Sequence, residues 1–198
     1  ISCAAEASLV DRVARAIGDR HLGARIGQAY EYSAYGAYAH FVLGAPDLAT
    51  AFDRGRRALL FTHPGSEIIL RETETHLVVG RDSKGLSVVG HHHLDEGALF
   101  VIGQVARHFL GAEWTPDWAE LPETNARELA VLEALSGSTI RAGAPVPGIA
   151  IRMSDLKAVN PGPPQPERTI SLGELGRLRD IAPTQTMEEA VVQVLSIT

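Results

Sequence analysis

The chain has 198 residues, a formal net charge of −6, 45% hydrophobic residues and 21% charged residues. This composition is typical of a soluble globular chain that buries a substantial core. The acidic balance argues against a chain that itself grips DNA or RNA, because phosphate binding needs clustered Lys and Arg. A single cysteine, Cys3, excludes an intramolecular disulfide and a four-cysteine zinc site, and it favours a reducing compartment.

The ends and the hydropathy of the chain give a second set of expectations. No apolar run approaches the length of a membrane span, so we expect no membrane contact and a cytoplasmic location. The opening residues, ISCAAEAS, lack the basic and apolar regions of a signal peptide. Because Met is absent from this start, we expect that position 1 is not the natural beginning of the protein.

The first sixty residues predict a mostly helical region. Helical spacing of Leu9, Val10, Val13 and Ile17 predicts a first helix that stops at Gly18 or Gly23. A short apolar helix then ends at Gly44–Pro46. Asp47 is the expected N-cap of the next helix, with a buried face formed by Leu48, Ala51, Phe52 and Leu59.

The middle of the chain changes to short, alternating stretches rich in Ile and Val. The ranges 67–73, 75–81 and 86–92 predict three strands, with a turn at Ser83–Gly85 between the last two. Asp95 is expected to cap the following helix, which ends at Gly111. The predicted buried stripe of that helix is Ala98, Val101, Ile102, Val105 and Phe109.

The remaining sequence predicts an extended aromatic connector, a helix stopped by Gly137, and a strand over 149–153. Four prolines in 159–169 predict an extended linker, followed by two closing helices. The sum is an α+β fold in which a helical N-terminal third, further helices and C-terminal helices cover a small, mostly antiparallel sheet.

Four stretches of the sequence carry a resemblance to a known family. They are LGARIGQAYEYSAYGAYAHFVLGAPDLATAFDRGRR (22–57), HHHLDEGALFVIGQVARHFLGAEWTPDWAELP (91–122), IRAGAPVPGIAIRMSDL (140–156) and PTQTMEEAVVQVLS (183–196). In order and spacing the chain resembles the N-terminal effector-binding, arabinose-binding-domain-like region of AraC-type transcriptional regulators. The resemblance covers nearly the whole chain.

The resemblance implies a ligand-sensing domain over 1–158, with 159–198 leading to helix-turn-helix units that this sequence does not reach. It implies a small-molecule effector as partner, contact with DNA only through that absent C-terminal region, and a homodimer. The apolar residues Val191, Val192, Val194 and Leu195 are the expected dimer face. Neither a cofactor nor enzymatic activity is expected.

The run His91–His93 is the first candidate for chemistry. On a strand, His91 and His93 would share a face and supply two zinc ligands, with a third from His76, Asp95 or Glu96. No second paired motif marks that third ligand, so a strand end facing solvent or a pocket is favoured over a metal site. His92 is a candidate ligand contact, because a histidine that titrates near neutral pH pairs with acidic ligands.

The tyrosines and a cluster of arginines supply the other candidates. All four tyrosines fall between Tyr30 and Tyr38, and a buried phenol suits a small-molecule pocket, although such rings also serve simply as packing. We predict ligand contacts from Tyr32, Tyr35 and Tyr38. In DRGRR, Arg54 and Arg57 share one helix face and are predicted to bind an anionic group, whereas Arg56 fits a solvated face.

Two other classes of function stay open from the sequence. One is a metal-dependent hydrolase that uses His91–His93, and the other is a dimerisation module without a ligand. No G-x-S-x-G, phosphate loop or G-x-G-x-x-G is present, so no catalytic residues are predicted. The sequence favours a partly apolar or aromatic acid at least as much as a sugar as the effector.

Overall fold

The computed structural model describes residues 2–83, 87–123, 125–162 and 171–178. The N-terminal region is helical, as predicted. Its helices are α1 (Cys3–Ile17), α2 (Leu22–Ala29), α3 (Ala37–Leu43) and α4 (Leu48–Ala58), with 3₁₀ turns at Tyr32–Tyr35 and Leu59–Phe61.

The rest of the described chain alternates strands and helices. The elements are β1 (Glu67–Glu72), β2 (His76–Asp82), α5 (His91–Leu110), β3 (Ala119–Leu121), α6 (Ala126–Ser136), β4 (Ile140–Ala142), β5 (Gly148–Arg152), a 3₁₀ turn at Asp155–Lys157 and α7 (Leu172–Leu178). Among these described residues, no helix has both the length and the apolar character needed to cross a membrane.

Five strands form one sheet in the order β1-β2-β5-β3-β4. The pairs β1–β2, β2–β5 and β5–β3 are antiparallel, and only β3–β4 is parallel among the described strands. Helix α5 lies across this sheet, with Ala98, Ile102, Val105 and Phe109 buried and Val101 half-buried. The predicted α+β class with a small, mostly antiparallel sheet is confirmed.

Local capping chemistry sets several helix ends. The Asp47 carboxylate accepts the backbone N–H of Thr50 at 2.8 Å, as predicted for an N-cap, and Leu48, Ala51, Phe52 and Leu59 are all buried. Helix α6 ends at Gly137, whose φ of 70° is left-handed and costs glycine little. The predicted helix ends at Gly44 and Gly111 are also present.

The predicted third strand over 86–92 is wrong, and so is the predicted cap at Asp95. Residues 87–88 are irregular, Gly90 turns with a φ of 87°, and α5 already begins at His91. A side chain at Gly90 is excluded, because a Cβ there would lie 2.2 Å from the carbonyl oxygen of Ala7 in α1. The close approach to α1 therefore bends this alternating stretch into a helix start, and Asp95 lies buried one turn inside α5.

Three of the four apolar residues that predicted α1 face solvent, whereas Val10 is half-buried. Leu9, Val13 and Ile17 are 56%, 42% and 61% exposed. The opposite side of α1 is buried and carries Ala7, Asp11 and Ala14. Small residues on that side allow α1 to lie close to α5. The small size of these side chains, rather than their hydrophobicity, therefore determines which face of α1 is packed.

The C-terminal end of the described chain packs on the same core. Helix α7 lies against α3, and Leu175 is fully buried. The predicted last helix, with its dimer face at Val191–Leu195, and most of the predicted linker at 159–169 lie outside the described residues.

Candidate ligand-binding cavity

A cavity of about 190 Å³ lies between the N-terminal helices, α5 and the β1–β2 hairpin. Its walls combine residues of the Tyr30–Tyr38 segment, α4, α5, β1 and β2. Representative apolar walls are Phe52 from α4, Ile68 from β1, Val79 from β2, and Val101 and Ile102 from α5. We call this space the tyrosine cavity.

All four tyrosines of the chain line the cavity and touch one another. The ring centroids are 5.1 Å apart for Tyr30 and Tyr35, 5.4 Å for Tyr32 and Tyr35, and 5.7 Å for Tyr35 and Tyr38. Gln104 of α5 fixes the segment, since its amide nitrogen donates to the carbonyl of Tyr30 and its oxygen accepts the N–H of Tyr32. The aromatic wall is therefore anchored to the longest described helix.

The tyrosine hydroxyls are held in the neutral form. Burial raises the pKa of Tyr38 to about 12, and it raises the pKa of Tyr32 and Tyr35 well above the ordinary value. The Tyr38 hydroxyl donates to the carbonyl of Gly55 at 3.3 Å. This hydroxyl therefore already has a protein acceptor.

Arg81 supplies a cationic group in the wall of the cavity. Its Nη2 donates to the Ser66 hydroxyl at 3.1 Å and lies 3.6 Å from the Cys3 sulfur. Its Nε is buried and has no hydrogen-bond partner among the described residues. The guanidinium therefore places a positive charge in a mostly apolar wall.

His93 also lines the cavity, whereas His92 is absent from the lining. The Gly23 N–H donates to Nδ1 of His93 at 3.3 Å, so the remaining proton of the neutral ring lies on Nε2. Burial, followed by the neighbouring charge of His92, lowers the pKa of His93 to about 4. The rings of His92 and His93 are 4.0 Å apart.

The six predicted ligand residues fall into two groups. Tyr32, Tyr35 and Tyr38 come together around the cavity. Arg54 instead donates to the carbonyl of Phe41 at 3.0 Å, and Arg57 lies 3.5 Å from the Asp53 carboxylate; neither arginine lines the cavity. Ligand binding by all six, including His92, stays a prediction.

Sequence reasoning missed Arg81, and it named His92 rather than His93 as the predicted ligand contact. The signal for Arg81 was its place two residues after Val79, because alternate residues of a strand point to the same side of the sheet. The side chains of Val79 and Arg81 do line the cavity. For His93 the assumed strand paired it with His91, whereas helical geometry separates the two.

The histidine run does not assemble a metal centre. No group of three or more His, Cys, Asp or Glu side chains is arranged to hold a metal ion within the part of the chain that the structure describes. His91 lies 3.3 Å from Asp95, one turn along α5. His21 lies between two carboxylates, 3.0 Å from Glu96 and 2.8 Å from Glu128. The contacts of His21 link the start of α2 to α5 and α6.

Comparisons with known proteins agree with a binding role. A sequence model described as "Arabinose-binding domain of AraC transcription regulator, N-term" matches residues 1–159. The structure of transcriptional regulator CdpR from Pseudomonas aeruginosa is similar with a TM-score of 0.62 at 16% identity, over 88% of this chain and 58% of that chain. This likeness shows a shared fold, and the chain spans little more than half the length of CdpR. No curated protein matches the sequence.

Proposed function

The chain belongs to the arabinose-binding domains found at the N-terminus of AraC transcription regulators, and we propose that it senses a small-molecule effector bound in the tyrosine cavity. The family makes it a regulatory ligand-binding domain. One observation carries the proposal, namely a cavity walled by four tyrosines and by Arg81. Mostly apolar cavities with a few directed polar groups are typical of ligand sites.

We propose that the effector controls DNA binding by a C-terminal region beyond this chain. Tyr38 of α3 lines the cavity, and the same helix packs against α7, which follows the family-matched region. A ligand that moves α3 would therefore shift α7. The size of that shift is limited by the difference in the ligand's affinity for the two arrangements.

The proposed cellular location and oligomeric state of the domain follow from the same proposal. A regulator that acts on DNA works in the cytoplasm, and paired DNA sites favour a homodimer. We also propose that the sensor domain ends at residue 158 and that it has no catalytic role. A hydrolase using His91–His93 lacks support, because the described histidines and carboxylates form no metal-binding group of three or more.

A thermal-unfolding screen tests effector binding in the cavity. The chain is mixed with carboxylic acids, sugars, nucleotides and acyl compounds, because a ligand that binds only the folded state raises the melting temperature. Val101→Trp fills the cavity from α5, where Val101 is half-buried in its wall. Val131→Trp is the matched control, since Val131 is 40% exposed on α6 and absent from the lining.

We expect at least one compound to raise the melting temperature of the wild type and of Val131→Trp but not of Val101→Trp. Equal shifts in all three proteins would place binding outside the cavity and contradict the proposal. A screen in which no compound raises the melting temperature would contradict it as well.

A further inference from the structure

We propose that the guest of the tyrosine cavity is a small apolar carboxylate whose carboxylate group pairs with Arg81. This inference rests on the proposed function and adds the chemical class of the effector. It predicts that the charge of the guest, rather than its hydroxyl groups, decides recognition.

The position of Arg81 directs its side chain to the cavity. Arg81 follows Val79 by two residues on β2 and pairs across the hairpin with Ile68 of β1. All three line the cavity, so an apolar strand surface ends in one cation. Ser66 receives one hydrogen bond from Nη2 and holds that end of the guanidinium in place.

The guanidinium retains unused donor capacity. Its Nε is buried without a hydrogen-bond partner among the described residues. Acidic groups nearby are Glu6, which lines the cavity, and Asp95, which lies 3.3 Å from His91 and also interacts electrostatically with Arg81. A carboxylate accepts two parallel N–H bonds from an arginine, so the guanidinium in the cavity wall favours a guest of this type.

The rest of the wall fits an apolar body and disfavours a sugar. Buried polyols need a hydrogen-bond partner for each hydroxyl. The Tyr38 hydroxyl donates its proton to the carbonyl of Gly55, so that proton is not available to a sugar. The cavity of about 190 Å³ is below the roughly 300–1,000 Å³ typical of drug-sized pockets. The guest is therefore small.

Calorimetric titration of matched acids and amides tests this class directly. The probes are phenylacetate and hexanoate, their neutral primary amides, and L-arabinose, each titrated into the full chain. The variants are Arg81→Gln and, as control, Arg152→Gln, whose arginine is exposed on β5 and pairs with Asp117 away from the cavity. Thermal unfolding establishes that each variant is folded.

We expect at least one acid to bind, with its amide about tenfold weaker or more, because bonds to charged groups exceed neutral ones by that order. Arg81→Gln is expected to weaken the acid by about tenfold or more and to leave the amide unchanged, whereas Arg152→Gln changes neither. If Arg81→Gln does not fold, the comparison of acid with amide on the wild type decides.

Equal affinity of acid and amide, or unchanged acid binding by Arg81→Gln, overturns the inference. A third result is that L-arabinose or an amide binds, that Val101→Trp abolishes this binding, and that no acid binds. This result overturns the inference but still supports an effector site in the cavity. If neither acid binds, the inference also fails; the proposed function then fails as well only when the wider thermal screen finds no cavity-dependent ligand.

Discussion

At the scale of single residues, burial sets the charge of the ionisable groups around the α2–α5 contact. His93 is buried and neutral, with a pKa lowered to about 4, while Glu96, three residues further on, has a pKa raised to about 7 by burial. Glu96 keeps one oxygen 3.0 Å from His21, and its other oxygen is buried without a partner among the described residues. As pH falls, His93 therefore contributes less to the stability of the fold and Glu96 contributes more.

His93 gives a test of this electrostatic account. Its folded pKa lies below the unfolded value near 6.5, so protons bind the unfolded chain more readily and its contribution to stability declines as pH falls from about 6.5 towards 4. His93→Asn keeps an acceptor for the Gly23 N–H and removes this titration. Between pH 7.5 and 5 we expect the wild type to lose roughly 1–2 kcal/mol more stability than the variant in urea unfolding. Parallel pH profiles would contradict the assignment.

The sequence predicted residues of the candidate site only where the type of residue alone was enough to indicate a place in the cavity wall. Four tyrosines in nine positions indicated an aromatic wall, and the predicted contacts Tyr32, Tyr35 and Tyr38 do line the cavity. Cations were harder to place, because DRGRR offered a denser cluster than the lone Arg81. Which arginine faces the cavity depends on how β2 packs on α5, and that long-range arrangement leaves no local pattern.

At the scale of elements, the α2–α5 contact depends on glycines. A Cβ at Gly23 would lie 2.1 Å from the carbonyl oxygen of His93, and one at Gly27 would lie 2.5 Å from that of Gly97. Backbone atoms cannot move aside as a flexible side chain does. The two glycines of α2 therefore allow the helices to touch at the backbone, and this contact holds one wall of the cavity.

Gly27→Ala is expected to destabilise the protein by about 2 kcal/mol or more, because overpacking a close contact typically costs about 1–3 kcal/mol. Gly103→Ala is the matched control within α5, where a Cβ would meet only the flexible Arg107 side chain at 3.6 Å. The control should be neutral or gain up to about 1 kcal/mol from helix propensity. Chemical denaturation measures both, and equal effects would argue against backbone contact between the helices.

The outer surface of α1 makes a second prediction at this scale. Val13 is 42% exposed between Leu9 and Ile17, on the side away from Ala7 and Ala14. Val13→Lys should change the free energy of unfolding by no more than about 0.5 kcal/mol, as surface substitutions usually do. Ala14→Leu, on the buried side, should cost about 1–3 kcal/mol by overpacking. Reversed magnitudes would mean that the apolar stripe packs inward.

Periodicity located most elements but misjudged two. It gave the existence of α1 correctly, yet the buried side consists of small residues that the spacing of large apolar residues does not reveal. The stretch before α5 alternates like a strand, and the approach of Gly90 to Ala7 of α1 converts it to a helix start. Both outcomes come from contacts between elements distant in sequence, which local patterns do not encode.

At the scale of the whole molecule, the tyrosine cavity lies between the helical N-terminal region, α5 and the sheet, and α7 packs against α3 on the outside. Leu175 of α7 is fully buried. The proposed signal thus passes from a cavity wall to an outer helix of the same body. Dimerisation is the other proposed property at this scale, and we predict that it depends on the apolar residues near the C-terminus.

Val191→Glu combined with Leu195→Glu tests that dimer face. We expect sedimentation to give a dimer for the wild type and a monomer for the double variant, because buried charges disrupt an apolar interface. Val13→Lys serves as the control on the exposed side of α1. A wild-type monomer, or a dimer that persists in the double variant but dissociates in Val13→Lys, would contradict this assignment.

A crystal structure of the chain with the compound that most raises its melting temperature tests the effector cavity most directly. We predict ligand electron density inside the tyrosine cavity, in contact with the Tyr35 ring and with an acidic group at the Arg81 guanidinium. Density for the compound at any other place, with the tyrosine cavity free of it, would contradict the account.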